Sequence, residues 1–195
     1  EAMPHVAHVA VRNRGTFGGS IALADPAAEM PACAVALGAT LIVQSVNGKR
    51  EIAAGDYFKG LYETARRPNE LLVEALIPVQ RPNEVSAFLE LARRHGDFAI
   101  AGIASHLTFD REVVTEARMV YFGSEDKPTL AAGAIAALVG RRLDAASGNA
   151  AADALAHDLA PMSNAQGSAK LRLELQRVLT RRALDTVRQR VRTAA

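Results

Sequence analysis

The sequence has no tryptophan, few other aromatic residues and a single cysteine. Aromatic residues make up 5% of the 195 positions, so the core must be built mainly from Ala, Leu, Val and Ile. Because Cys33 is alone, the chain cannot form an internal disulfide or a cysteine-ligated zinc or iron–sulfur site. These cofactors, if the protein works with them, must belong to other chains.

Long apolar segments are also missing. The longest apolar run, residues 130–139, has ten residues, whereas a membrane-spanning helix needs about 20. The first residues lack the basic and apolar regions of a signal peptide. We therefore predict a cytoplasmic protein with no membrane span.

The charge is nearly balanced overall but not locally. The net charge is +2, with 49% hydrophobic and 23% charged residues, which is typical of a folded globular protein. Residues 170–192 contain eight basic and two acidic side chains, a local charge of +6. Apolar residues are interleaved among these arginines and no aromatic residues accompany them, which favours a solvated helix face over a nucleic-acid site. We predict no nucleic-acid binding.

The order of the predicted elements indicates an α+β protein, with strands first and helices last. Two prolines between residues 78 and 82 mark the best domain boundary, dividing the chain into residues 1–80 and 81–195. An Asp-Pro pair at residues 25–26 predicts the start of one early helix, which should end at Gly38. The predicted strands cover residues 5–11, 40–46, 50–53, 70–79, 86–93, 98–109 and 116–122, and the late helices cover residues 129–139, 149–159 and 168–192.

A glycine-rich stretch, RNRGTFGGS at residues 12–20, is the strongest local motif. Gly15, Gly18 and Gly19 permit positive φ angles, and successive amide groups at such a bend can bind an anion. The stretch has neither the G-x-G-x-x-G spacing of dinucleotide-binding folds nor the lysine of a P-loop. The glycines alone therefore leave two interpretations open, a tight turn or a phosphate-binding loop.

The longer string resembles a known family. RNRGTFGGS followed by ADPAAEMP at residues 24–31 is similar to the FAD-binding (medium) subunit of the molybdenum hydroxylases, which include carbon monoxide dehydrogenase and xanthine dehydrogenase. The similarity continues through PNELL at 68–72, AFLELARR at 87–94 and GDF at 96–98, and covers nearly the whole chain. It implies a partial FAD-binding lobe of mixed strands and a helix in residues 1–80. A C-terminal α+β domain with an antiparallel sheet and a helical bundle would follow in residues 81–195.

The resemblance also implies which residues contact FAD. The turn residues match a T-x-G-G-(D/N/S) motif whose amides and hydroxyls would bind the pyrophosphate or ribityl region. One acidic residue would face the flavin, one apolar residue would pack near the isoalloxazine ring, and a dipeptide would lie close to the ring. The turn residues are Thr16, Gly18, Gly19 and Ser20, the acidic residue is Glu29, the apolar residue is Leu72, and the dipeptide is Asp97 and Phe98. The resemblance implies no catalytic side chain and no metal ligand in this chain.

By the same resemblance, the chain is an electron-transfer subunit or a fragment of one. A molybdopterin-binding large subunit would oxidise the substrate, and [2Fe–2S] clusters on a small subunit would pass electrons to FAD. Two features differ from the family pattern. The family's first glycine motif is absent, and some relatives carry a lysine in the segment where Leu89 and Glu90 stand here. The alternative is a docking or dimerisation module without FAD, and a homodimer remains open.

Several other residues are interpreted as structural. Cys33 occupies an apolar helix position and is expected to pack in the core. His5 and His8 lie three residues apart without a third metal ligand, and His95, His106 and His157 are isolated in the sequence.

Overall fold

The computed structural model describes residues 1–194, apart from the side chains of Arg192 and Ala194, so Ala195 of the predicted second domain lies outside the described residues. Strands dominate the first two thirds and helices the last third. In chain order the elements are α1 (Val9–Arg12), α2 (Phe17–Leu23), α3 (Glu29–Ala36), β1 (Thr40–Ser45), β2 (Gly48–Ala53), α4 (Ala54–Tyr57), β3 (Phe58–Gly60), β4 (Glu63–Thr64), β5 (Leu71–Leu76), β6 (Glu84–Ala92), β7 (Ala99–Asp110), β8 (Val113–Phe122), β9 (Thr129–Leu130), α5 (Ala132–Leu138), α6 (Ala145–Asp158) and α7 (Ala169–Ala194).

Two antiparallel sheets organise these elements. The first has the strand order β2-β1-β5, and its β1–β2 hairpin turns at Val46 and Asn47, with Ser45 paired to Gly48, whose φ is +124°. The second has the order β6-β7-β8-β9. A short β3–β4 pair lies between them in sequence. The predicted hairpin is confirmed, but its turn lies one residue earlier than an Asn-Gly turn, because Asn47 does not have a positive φ and Gly48 is already paired in β2.

The four-stranded sheet has a different partner on each face. Side chains alternate along a strand, so Phe88 of β6 points to one face and Leu89 to the other. On the first face, α3 packs over Phe88, Val120 and Phe122, and the rings of Phe88 and Phe122 stack with centroids 5.5 Å apart. On the second face, α5, α6 and α7 bury Leu107 and Leu155 completely. The first core joins the two halves of the chain, whereas the second lies within the C-terminal half.

One residue connects α7 to the segment before α3. The buried Arg172 donates from Nη1 to the carbonyl oxygen of Gly123 at 2.8 Å and from Nη2 to Oδ1 of Asn164 at 2.7 Å. The amide of Gly123 donates to the carbonyl oxygen of Pro26 at 2.9 Å. Gly123 has a φ of +78°, and a Cβ there would lie 2.7 Å from the carbonyl oxygen of Ala99. Glycine is therefore required at this position by both conformation and space.

The predicted fold class is confirmed, but two local predictions are wrong. Residues 5–11 do not form a strand, because Ala7 has a φ of +45° and Arg12 donates to the carbonyl oxygen of Val6, which folds the segment into a turn before α1. Asp25 does not cap the next helix. Its Oδ1 accepts from the amide of Ala27 at 2.9 Å and closes a local turn, so α3 begins at Glu29.

Within the described residues, no helix is both long enough and apolar enough to cross a bilayer.

Candidate functional site

The glycine-rich stretch folds as the beginning of a helix. Thr16 is the N-cap of α2, and its Oγ1 accepts a hydrogen bond from the amide of Gly19 at 3.0 Å. Gly18 and Gly19 lie in the first helical turn and do not use the positive φ angles that glycine permits. A capping threonine satisfies one of the amides that a helix start leaves without an intrahelical partner.

Glycine is nevertheless needed for the shape of this turn. Thr16, Gly18 and Gly19 are exposed and Ser20 is half-buried. A Cβ on Gly18 would have no atom within 4 Å, so the backbone there faces open space. A Cβ on Gly19 would lie 2.9 Å from Oγ1 of Thr16 and would displace the cap. An open backbone surface of this kind fits the diphosphate of FAD, because amide groups can approach anionic oxygens without interference from side chains.

Leu72 lies on β5, a strand that contacts the helix beginning at this turn. Helix α2 packs against both α3 and β5, and Phe17 of α2 and Leu72 of β5 contact the same apolar core. Leu72 is half-buried, whereas its neighbour Leu71 is exposed. Helix α2, which begins at the glycine-rich turn, therefore contacts β5, the strand that carries Leu72.

Asp97 and Phe98 lie in the turn between β6 and β7. Gly96 has a φ of +86°, and a Cβ there would lie 2.9 Å from the carbonyl oxygen of Ala7, so this turn is pressed against the N-terminal segment. Asp97 is half-buried, and Phe98 is 61% exposed. An aromatic ring exposed to this degree offers a free surface for stacking. The turn thus contacts residues 7 and 8, which precede α1.

Glu29 lies deeper, at the first position of α3, and is 7% exposed. Burial raises the pKa of its carboxyl group, and the nearby charge of Asp25 raises it further. Cys33 follows one helical turn later. Burial raises the pKa of the Cys33 thiol to about 12, and the negative charge of Glu29 adds to this shift. The thiol is therefore protonated at neutral pH, in agreement with a packing role.

Glu90 was not predicted from the sequence as a site residue. Glu90 lies on β6 with its side chain only 3% exposed, and its Oε1 is 3.4 Å from Nδ1 of His5. Its Oε2 has no hydrogen-bond partner among residues 1–194. Burial raises the pKa of Glu90 to about 7, and the charge of Glu29 contributes. The strand period contained the signal, because Glu90 is two residues from Phe88 and must share its face.

A second polar group on the same face of the sheet is fully paired. Nδ1 of His106 is 2.8 Å from Oγ of Ser86, and its Nε2 is 3.7 Å from Oε2 of Glu84. Glu84 also accepts from the amide of Arg81 at 2.7 Å and from its guanidinium at 2.6 Å, and the amide bond is the main reason that its pKa is lowered. This group is typical of a structural network. Among the described residues, no cluster of His, Cys, Asp and Glu side chains is suited to hold a metal ion.

Comparison with known proteins identifies the family of this chain. Residues 1–80 match the FAD-binding domain found in molybdopterin dehydrogenases. Residues 86–187 match the C-terminal domain of the CO dehydrogenase flavoprotein. The chain belongs to the FAD-binding medium subunits of the molybdenum hydroxylases. The family resemblance and the FAD-binding assignment drawn from the sequence are thereby confirmed.

Individual relatives agree with this assignment. The chain is 36% identical over 193 residues to the alpha subunit of the 6-hydroxypseudooxynicotine dehydrogenase complex of Paenarthrobacter nicotinovorans, covering 98% of this chain and 65% of that protein. It is 34% identical over 187 residues to the carbon monoxide dehydrogenase medium chain of Afipia carboxidovorans, covering 96% and 65%.

Solved structures show the same fold. The carbon monoxide dehydrogenase of Hydrogenophaga pseudoflava superposes with a TM-score of 0.92 at 32% identity, covering 95% of this chain and 65% of that one. Quinoline 2-oxidoreductase from Pseudomonas putida 86 gives 0.89 at 38% identity, covering 97% and 66%. The chain thus spans about two thirds of the length of the proteins that it matches.

Proposed function

We propose that this chain binds FAD as the electron-transfer subunit of a molybdenum hydroxylase. The observation that carries the proposal is the open, side-chain-free backbone at Gly18, beside a threonine cap, within a segment that matches an FAD-binding domain. In the complete assembly, a molybdopterin-binding large subunit oxidises the substrate and a [2Fe–2S] small subunit delivers electrons. The complex works in the cytoplasm as an oxidoreductase.

Different residues of the site contact different parts of the cofactor. The amide at Gly18, with the hydroxyls of Thr16 and Ser20, binds the diphosphate or ribityl oxygens, while the amide of Gly19 donates to Oγ1 of Thr16 and keeps the turn in shape. Leu72 covers one apolar surface of the flavin.

The remaining proposed contacts come from the deeper part of the site and from the β6–β7 turn. Glu29 faces the flavin, and Asp97 and Phe98 lie close to the ring. Bound FAD supplies the electron-transfer chemistry, while the chain supplies binding, orientation and electrostatics.

We also place the boundary between the two parts of the subunit at residues 78–82. β5 ends at Leu76 and β6 begins at Glu84, and no described strand crosses the interval. The FAD-binding part then comprises residues 1–80 and the C-terminal part residues 81–195.

Direct cofactor loading tests the proposal. The purified chain is mixed with excess FAD and desalted, and its visible absorption spectrum is recorded. We expect retained flavin bands with a stoichiometry close to one per chain. A protein that stays colourless after desalting, and that shows no binding by calorimetry with FAD, contradicts the proposal.

A docking or dimerisation module is the second candidate. It is favoured by β5, an edge strand of its sheet on which Leu71 is 70% exposed, Leu76 47% and Val73 45%. Exposed apolar edges pair with other chains. This candidate predicts a colourless protein whose oligomeric state in light scattering changes when Leu71 is replaced by Lys, whereas the flavoprotein proposal predicts retained FAD in the unmodified chain.

A further inference from the structure

The outer edge of β8 contains a gap in its hydrogen bonding. At one end of the strand, next to the short pairing with β9, the amide of Ala131 donates to the carbonyl oxygen of Met119 at 3.0 Å. At the other end, the amide and the carbonyl oxygen of Val114 are paired with residues 140–141 at 2.9 and 2.8 Å. Between these two points the chain leaves the sheet to form α5. No described strand therefore pairs with residues 115–118 on this side of β8.

Ala117 presents its backbone groups to this gap. The backbone groups of successive residues in an antiparallel strand point alternately to its two sides. Because the carbonyl of Met119 points away from β7, the amide and carbonyl of Ala117, two residues earlier, point the same way. On β7, the amide of Phe109 donates to Asn83 on the β6 side, so Leu107, which lies opposite Ala117, also turns toward β6. Within residues 1–194, the amide and carbonyl of Ala117 thus have no backbone partner.

The gap opens into a cavity of about 300 Å³. One wall is apolar and is formed by Ile135 of α5 and by Val139, which follows that helix. The volume is at the lower end of the range for ligand sites, and a few convergent polar groups beside an apolar wall are typical of such sites. The polar wall consists of two cross-strand pairs, His106 with Arg118 and Thr108 with Glu116.

Arg118 brings a positive charge to this cavity. Its guanidinium lies against Gly38, where a Cβ would be 3.0 Å from Cζ, and this close contact restricts its position. No acidic side chain of the described chain forms an ion pair with Arg118, and Glu116 at the rim lies instead 3.9 Å from Arg81. Burial lowers the pKa of His106, and the charge of Arg118 lowers it further, so His106 is neutral at pH 7. A half-buried guanidinium with free donors is well suited to bind a carboxylate.

We propose that this cavity binds a small carboxylate that carries a neighbouring amide group and a short apolar chain. The carboxylate pairs with the guanidinium of Arg118, and the amide group exchanges hydrogen bonds with the backbone of Ala117. The apolar chain lies against Ile135 and Val139. N-acylated amino acids have this chemistry. The site is built without any group assigned to FAD, so the inference goes beyond the proposed function.

Nuclear magnetic resonance titration of the purified chain with N-acetyl-leucine tests the site. We expect the amide resonance of Ala117 to shift and to saturate at millimolar concentration, because this amide gains an acceptor. Two matched compounds separate the contributions. N-acetyl-leucinamide lacks the charge and should bind about tenfold more weakly. 4-Methylpentanoate lacks the amide group and should bind about threefold more weakly.

Two variants test the cavity from the side of the protein. Arg118→Gln keeps a hydrogen-bonding side chain but removes the charge, so the affinity for N-acetyl-leucine should fall about tenfold. Arg182→Gln, at an exposed position of α7, is the matched control and should bind like the unmodified chain. Val139→Asp changes a position that is 40% exposed, so the variant should fold, and its negative charge should abolish binding of the carboxylate. Thermal unfolding checks that each variant is folded.

Each outcome either supports or overturns the proposal. An unchanged Ala117 resonance in the presence of millimolar N-acetyl-leucine overturns it, and so does equal binding of N-acetyl-leucinamide. Equal affinity in Arg118→Gln and Arg182→Gln overturns the assignment of the carboxylate to Arg118. If Arg118→Gln fails to fold, Val139→Asp decides, since loss of binding supports the site and full binding overturns it. None of these results depends on whether the chain binds FAD.

Discussion

The two faces of the four-stranded sheet differ in chemistry. The face under α5, α6 and α7 is lined by residues such as Ile103, Leu107 and Met119, all fully buried. The face under α3 carries Phe88 together with buried acidic and imidazole groups, among them Glu90 and His106. The helical face contributes mainly stability. The α3 face stabilises the fold less, because it carries buried ionisable groups beside the proposed cofactor site.

The largest expected effect tests the stabilising face. Leu107→Ala should lower the free energy of unfolding by about 2–5 kcal/mol, because Leu107 is completely buried and its removal leaves a cavity. Denaturant unfolding measures the loss. The affinity of the folded protein for FAD should not change. Leu71→Ala, at a 70% exposed position, is the control and should alter stability by less than about 0.5 kcal/mol. A large loss of FAD affinity in Leu107→Ala would contradict the assignment of a mainly stabilising role to this face.

At the glycine-rich turn we expect the loss to appear in FAD affinity, where Leu107→Ala loses stability. Gly19→Asp should abolish FAD retention, with a loss in affinity of about 100-fold or more, equivalent to about 3 kcal/mol. The new side chain meets Oγ1 of Thr16 and brings negative charge to the proposed diphosphate site. Flavin absorbance after desalting measures the loss. Gly55→Asp is the matched control, since a Cβ there meets only Leu130 at 3.7 Å. Unchanged flavin content in Gly19→Asp would count heavily against the site.

Glu90, on β6, should show that the α3 face limits stability. The pKa of Glu90 lies at about 7 instead of 4.5, so the folded protein holds a proton that the unfolded chain releases. Stability therefore falls as pH rises from about 4.5 to about 7 and stays low above that range. Glu90→Gln should be more stable than the unmodified protein at pH 8 by about 2 kcal/mol, and equal to it near pH 4.5. Urea unfolding at both pH values checks this, and a variant that is less stable at pH 8 contradicts it.

The smallest effect concerns the helix cap. Thr16→Ala removes the acceptor for the amide of Gly19 and should cost about 1 kcal/mol. Thr16→Ser keeps the hydroxyl and should recover most of that loss. Thermal unfolding of the two variants measures the difference. If they are equally stable, the bond from Gly19 to Thr16 does not stabilise α2.

The long, strongly patterned elements could be predicted from the sequence, and the short ones could not. The strand between 98 and 109 and the final helix have enough residues for their periodicity to decide the structure. The segment at residues 5–11 alternates weakly, and a hydrogen bond from the side chain of Arg12 to the carbonyl oxygen of Val6 folds it into a turn. The family motif located the candidate FAD residues. It did not reveal Glu90, whose character depends on α3 arriving from the other half of the chain.

The stacked rings of Phe88 and Phe122 have a consequence for any attempt to divide the subunit. Both rings and Val120 belong to the C-terminal half, but α3 from the other half covers them. If the chain is cut at residues 78–82, the C-terminal half keeps its helical core but exposes this aromatic face to water. Contiguous apolar patches of this kind cause self-association. Each half therefore covers an apolar surface of the other, and separating them should make the C-terminal half self-associate.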